Sequence, residues 1–153
     1  MRKTTLTSIV LALSLSLFGV VAHAQMKSAV PKKSPLVTSA RQTPGTVQLI
    51  SQADAYKLFR ENKAVFIDVR SNTQFSHGHI KGSLSIPGSQ IVSRFSEVPT
   101  GKIVITYCAC TAEQSSSVAA TSLVNHGVKN VWALKGGWND WKNNRYPIAA
   151  GPK

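Results

Sequence analysis

The chain has 153 residues, with 18 Lys or Arg against 6 Asp or Glu and a formal charge of +12. Such a balance favours anionic small molecules, acidic partners or a membrane surface. Nucleic acid is not expected as a partner, because the basic residues are scattered singly and no aromatic-interleaved patch accompanies them.

The amino terminus reads as a leader over 1–24. Arg2 and Lys3 form a basic start, Leu6 to Ala22 is a nearly uncharged Leu/Val/Ser-rich run, and Ala22-His23-Ala24 suits cleavage before Gln25. A membrane anchor is the rival reading, but about 17 residues is the bottom of the spanning range and the Ser content is high. No cysteine stands at the end of the run, which excludes a lipoprotein. The chain is therefore expected to be exported, periplasmic or secreted, with no membrane association once the leader is cut. Losing Arg2 and Lys3 leaves 16 basic residues against 6 acidic ones, a charge of +10. The bland account of that charge is solubility.

Gln25 to Pro44 holds Pro31, Pro35 and Pro44, several Lys and Ser, and no apolar periodicity. It is expected to be a flexible linker over 25–45, followed by one small domain with one core over 46–150.

In that domain Val47 to Ile50 predicts a short strand. Ser51 then caps a helix carrying Ala55, Leu58 and Phe59 at helical spacing. Ala64-Val65-Phe66-Ile67 suits a strand buried on both faces, ending at the polar Asp68-Val69-Arg70. Asn72 to Phe75 predicts one helical turn, and His77 to Gly82 a tight connection with two glycines. Leu84-Ser85-Ile86-Pro87 is a short strand stopped by proline, and Ser89 to Phe95 a brief helix. Lys102 to Tyr107 is an apolar, β-branched central strand. A helix runs from about Glu113 to Asn125, with Val118, Leu123 and Val124 as its apolar positions and Gly127 as its stop. Asn130 to Leu134 is a further buried strand. Lys135-Gly136-Gly137 turns into an aromatic helix bearing Trp138 and Trp141, and Tyr146-Pro147-Ile148 closes the domain. Alternating strands and helices predict an α/β fold, a small parallel sheet with helices on both faces. Ligands collect at the carboxyl ends of strands in such sheets, which puts Asp68, Cys108 and Gly136 on one rim.

The only cysteines, Cys108 and Cys110, lie in the junction between the central strand and the following helix. Loop N–H groups and the positive end of the helix dipole face that junction, so a cysteine there is expected to have a lowered pKa and to react as thiolate. Two cysteines one residue apart are too few and too close for a structural bridge, and they mark a site.

Four segments together resemble the rhodanese-like domain. They are Asp68-Val69-Arg70, Gly78-His79-Ile80-Lys81-Gly82-Ser83 with Ile86-Pro87, Val104-Ile105-Thr106-Tyr107-Cys108, and Leu134-Lys135-Gly136-Gly137-Trp138 with Trp141. The resemblance spans Val47 to about Pro147. It implies a sulfurtransferase in which Cys108 attacks the outer sulfur of a donor such as thiosulfate and forms a persulfide. The sulfur then passes to an acceptor thiol or cyanide. The persulfide anion would be held by loop amides across Ala109, Cys110, Thr111, Ala112, Glu113 and Gln114. Asp68, Arg70, His79, Gly136 and Gly137 are expected as structural rim residues, with Asp68 and Arg70 as a rim or internal ion pair. No cofactor and no metal site are implied.

The loop also departs from the family's commonest Cys-x-x-Gly-x-Arg pattern. Thr111 stands at the glycine position and Glu113 at the arginine position. A carboxylate repels thiosulfate, so a protein persulfide or other uncharged donor is favoured by comparison, although Glu113 is also an ordinary helix-start residue. Cys110 could resolve a persulfide on Cys108, form a strained disulfide with it, help bind a soft metal, or simply fill the loop. Two other functions stay open: a thiol redox or persulfide relay using both cysteines, and a non-catalytic binding module on the same fold. A phosphatase of related fold needs a longer loop ending in arginine. No arginine follows Cys108 until Arg145, which rejects it.

Overall fold

The structure is a computed structural model that describes residues 47–152. The expected leader, and the linker over 25–45, lie outside the described residues.

Chain order is β1 (Gln48–Ile50), α1 (Gln52–Arg60), β2 (Ala64–Asp68), α2 (Asn72–His77), β3 (His79–Ile80) and β4 (Leu84–Ser85). Two 3-10 turns follow, at Gly88–Gln90 and Phe95–Glu97. Then come β5 (Ile103–Tyr107), α3 (Gln114–Asn125), β6 (Val131–Leu134), α4 (Gly137–Asn143) and β7 (Ile148–Ala149). Five strands form a parallel sheet in the order β1-β6-β5-β2-β4, with β5 in the middle.

Period-2 alternation along the strands divides the core into two faces. Ile105 and Tyr107 of β5, Phe66 of β2 and Leu134 of β6 pack against Ala55 and Leu58 of α1 and Trp138 and Trp141 of α4. On the other face Val104, Ile67 and Val131 meet Ala119, Ala120 and Leu123 of α3. Cys108 follows Val104 and Thr106 in this alternation, so its side chain emerges on the α3 face and belongs to that second cluster. The parallel α/β sheet with helices on both faces is as the sequence leads one to expect.

Local signals explain the helix starts. The Ser51 hydroxyl accepts from the N–H of Asp54 at 3.1 Å, and Ser71 and Gln74 make a reciprocal capping box that carries α2 on to His77. Gly127, at φ +85°, ends α3.

Three expectations need correction. Val118 is not a core residue of α3: it is 67% exposed, and the buried face is Ser116, Ala119, Ala120 and Leu123. Small side chains let α3 lie close on the sheet, and the larger valine is turned outward. Ser89 to Phe95 forms no α-helix but a pair of 3-10 turns flanking a non-helical stretch. The tight connection at His77–Gly82 contains a strand, β3, which pairs antiparallel with β7 as a second, two-stranded sheet. No local sequence signal could show a partner that lies at the far end of the domain.

Candidate active site around Cys108

The strand β5 delivers Cys108 to the carboxyl edge of the sheet, where the residue is 3% exposed. Its backbone carbonyl accepts from the N–H of Trp138 at 2.8 Å. A Cβ placed on Gly137 would lie far inside van der Waals contact of that same oxygen, so only glycine fits there, and its φ of +51° also suits glycine. Next along the loop, Asn139 Nδ2 donates to the Ala109 carbonyl at 3.2 Å. The third tie is the N–H of Gly136, which donates to Glu113 Oε1 at 2.5 Å. The β6–α4 turn thus clamps the Cys108 loop at its beginning and its end. Gln52 of α1 braces the turn from behind, with Nε2 donating to the carbonyls of Lys135 at 2.8 Å and Gly137 at 3.0 Å.

The two cysteines are joined. Cys108 and Cys110 form a disulfide with a Cα–Cα separation of 5.6 Å. Of the roles open to Cys110, the structure holds the disulfide with Cys108. The bond nonetheless ties no distant elements together, because it spans one residue, and it is not what holds the fold. The Cys110 N–H lies 3.4 Å from Cys108 Sγ, and Ser116 Oγ lies 3.6 Å from it. Ser116 is fully buried at the first turn of α3, and its hydroxyl also reaches the Glu113 carbonyl at 2.9 Å. Beneath the loop, Thr106 Oγ1 donates to the Ser116 carbonyl at 2.8 Å, joining β5 to that first turn.

The family model for the rhodanese-like domain matches residues 51–144. The chain belongs to the rhodanese-like family. Among relatives it is 40% identical over 79 residues to the uncharacterized protein YqhL of Bacillus subtilis, a match covering 52% of this chain and 61% of that protein. The chain thus spans less than two thirds of YqhL. It is 29% identical over 101 residues to the thiosulfate sulfurtransferase GlpE of Haemophilus influenzae, covering 65% of this chain and 91% of GlpE. Among solved structures, a rhodanese-related protein from Thermoplasma volcanium superposes with a TM-score of 0.59 at 25% identity, covering 67% of this chain and 97% of that one.

On this rhodanese-like frame the expected rim residues divide by role. Asp68 and Arg70 form an internal ion pair. Arg70 Nη2 is 2.6 Å from Asp68 Oδ2, with side chains 0% and 6% exposed for Asp68 and Arg70. Arg70 Nε and its backbone N–H also donate to the carboxylate, and Nη2 donates to the Gly78 carbonyl at 2.6 Å. The guanidinium lies 4.7 Å from the centre of the Trp138 ring, a cation–π contact that links the β2 end to α4. His79 is a structural residue: its Nδ1 is 2.9 Å from the Phe75 carbonyl and its ring stacks on Phe75 at 3.7 Å. Gly136 and Gly137 are the clamp itself.

Of the loop residues, Ala109 and Glu113 are held by the clamp, whereas Thr111 and Ala112 are exposed. Gln114 lines a cleft of about 540 Å³ together with Arg70, Ser71, Ser89 and Ser115. Cys108 is not part of that lining. A crevice of similar volume, about 560 Å³, opens at the amino ends of β5 and β6 among Phe95, Lys102, His126 and Asn130, remote from the cysteines. Sequence reasoning did not find Asn139, Gln52 or the Trp138 N–H. Their roles rest on backbone partners and leave no residue-type signature.

Proposed function

We propose that this chain is a sulfurtransferase that carries sulfane sulfur as a persulfide on Cys108 and hands it to a thiol or cyanide acceptor. The observation behind it is the position of Cys108: at the end of the central strand, in a loop clamped on both sides, with its sulfur beside an amide and the amino end of α3. The thiosulfate sulfurtransferase named among its relatives supports the same reading.

A dithiol first opens the Cys108–Cys110 bond and is itself oxidised to a disulfide. The Cys108 thiolate then attacks the outer sulfur of the donor. A Cys108–sulfur bond forms, the donor's sulfur–sulfur bond breaks, and the electron pair leaves with the donor remnant, sulfite in the case of thiosulfate. An acceptor thiolate or cyanide takes the outer sulfur in the same way and returns Cys108 as thiolate. The Cys110 N–H is placed to stabilise negative charge on the Cys108 sulfur. A low-molecular-weight or protein persulfide is the favoured donor, since the loop carries a carboxylate at Glu113 where the common family loop carries arginine. Export of the chain belongs to this proposal and rests on the leader-like segment 1–24.

The test is intact-protein mass spectrometry of reduced Cys110→Ser protein, which has no second thiol to discharge the sulfur, after incubation with thiosulfate and, separately, with cysteine persulfide. The expected result is one added sulfur atom, located on Cys108 and lost on adding cyanide. No gain from either donor overturns the reading.

A further inference from the structure

The disulfide puts a second reaction within reach of the same loop. We propose that Cys110 is a resolving residue: it displaces the sulfur carried by Cys108 as hydrosulfide and leaves the loop bridged, and external thiols reopen the bridge by attack on Cys110. This rests on Cys108 being the persulfide carrier. The chain then acts as a persulfide reductase as well as a sulfur carrier.

The step balances without an outside oxidant. The Cys110 thiolate attacks Cys108 Sγ, the inner sulfur of the persulfide. The Cys108–Cys110 sulfur bond forms, the bond to the outer sulfur breaks, and the outer sulfur leaves as hydrosulfide. The oxidising equivalent that arrived with the sulfane sulfur ends in the disulfide. The backbone permits this attack, since the cysteine Cα atoms stand 5.6 Å apart and the two Sγ atoms are bonded in the structure. Attack on the outer sulfur would relay it to Cys110 and leave no bridge, whereas inner-sulfur attack yields the Cys108–Cys110 bond that the loop geometry accommodates.

Burial sets the direction of reopening. Cys108 is 3% exposed and packs in the α3-side core, while Cys110 is half-buried at the edge of that cluster. An external thiolate needs a path to the sulfur it attacks, and Cys110 is the less buried of the two. Cys108 is correspondingly the better leaving group. Its sulfur lies 3.4 Å from the Cys110 N–H, beside the first turn of a 12-residue helix. A dithiol therefore forms its mixed disulfide on Cys110, and its second thiol releases the protein with both cysteines reduced.

The test loads fully reduced wild-type and C110S full-length protein with cysteine persulfide, removes the donor, and follows hydrosulfide and intact mass. Wild type is expected to release close to one hydrosulfide per chain and return to the bridged mass. C110S is expected to hold one extra sulfur on Cys108 and to release hydrosulfide only at background level until thiol is added. Wild type that keeps its extra sulfur with Cys110 unmodified overturns this inference and leaves the sulfurtransferase reading standing. Failure of both proteins to gain sulfur overturns the sulfurtransferase reading itself. For the direction of reopening, bridged wild type is treated with limiting glutathione and the adduct is mapped by peptide mass spectrometry. It is expected on Cys110, and an adduct on Cys108 overturns the assigned polarity.

Discussion

Glu113 Oε1 accepts the backbone N–H of Gly136 at 2.5 Å, so the residue standing in place of the family's arginine fastens the loop to the β6–α4 turn. The same residue takes a left-handed backbone at φ 50° and caps α3 without a side-chain bond to the helix. Its carboxylate is thus directed away from the helix end that a helix-start acid usually serves. What the loop loses in attraction for an anionic donor it gains in rigidity around Cys108.

Removing the latch should show both effects. Glu113→Ala leaves the Gly136 N–H without its charged acceptor and is expected to cost about 1–3 kcal/mol, with slower sulfur loading of Cys108. Glu113→Gln keeps an acceptor and should recover most of both. Urea denaturation and a single-turnover loading assay measure the two quantities. Equal stability and equal loading across all three proteins would show the bond to be incidental.

Gly137→Ala should be more damaging, because its methyl group has nowhere to go. The obstacle is the Cys108 carbonyl, a backbone atom that cannot rotate away, and the left-handed φ adds its own strain. The two together are expected to cost upwards of about 2 kcal/mol and to move the loop. The contrast is Gly82→Ala, which also has a positive φ but meets nothing within 4 Å. It should lose only the backbone term of about 1 kcal/mol and keep the loading rate. A loading rate that survives in Gly137→Ala would separate the clamp from the chemistry.

The sequence made the frame legible where the physics is local. Ser51 and Ser71 announce their helices, the apolar run before Asp68 announces a doubly buried strand, and alternation along β5 decides which face Cys108 joins. Val118 misled because a valine in a helix start suggests core, whereas the close approach of α3 to the sheet selects Ser116, Ala119 and Ala120. The latch at Glu113 was hidden for a different reason. A carboxylate there has a sufficient local explanation in the helix dipole, and only the fold brings Gly136 beside it. The disulfide was one of several roles the sequence left open for Cys110, because separation along the chain says little about how a tight loop bends.

Arg70 should prove to be a structural hub. Arg70→Ala strands Asp68, fully buried, without its cation, and is expected to cost about 3–5 kcal/mol. Arg70→Lys keeps the charge but cannot reproduce the fork to Asp68 and the Gly78 carbonyl together, so it should fall between. Asp68→Asn combined with Arg70→Met should lose less than Arg70→Ala alone, since no unpaired charge remains. Denaturant titration of the set checks the order. A double variant less stable than Arg70→Ala would refute the stranded-charge explanation.

Tyr107 gives the pH dependence. Its hydroxyl accepts the Ile80 N–H at 3.1 Å and lies 3.0 Å from Ser83 Oγ, tying the central strand to β3. Burial, and then the negative charge of Asp68, push its phenol far above the ordinary value. Raised in the folded state, this group contributes stability that is fully present below the unfolded value of about 10 and is lost as pH climbs toward the folded one. In that window the unfolded chain releases a proton that the folded chain keeps, at about 1.4 kcal/mol per pH unit. Tyr107→Phe should cost about 1–3 kcal/mol at neutral pH by leaving the Ile80 N–H unpaired. Above about pH 10 the stability gap between wild type and Tyr107→Phe should narrow, because only wild type carries the penalty. Denaturant midpoints measured on both proteins across this range decide it: parallel profiles would mean that the Tyr107 phenol ionises as readily in the folded chain as in the unfolded one.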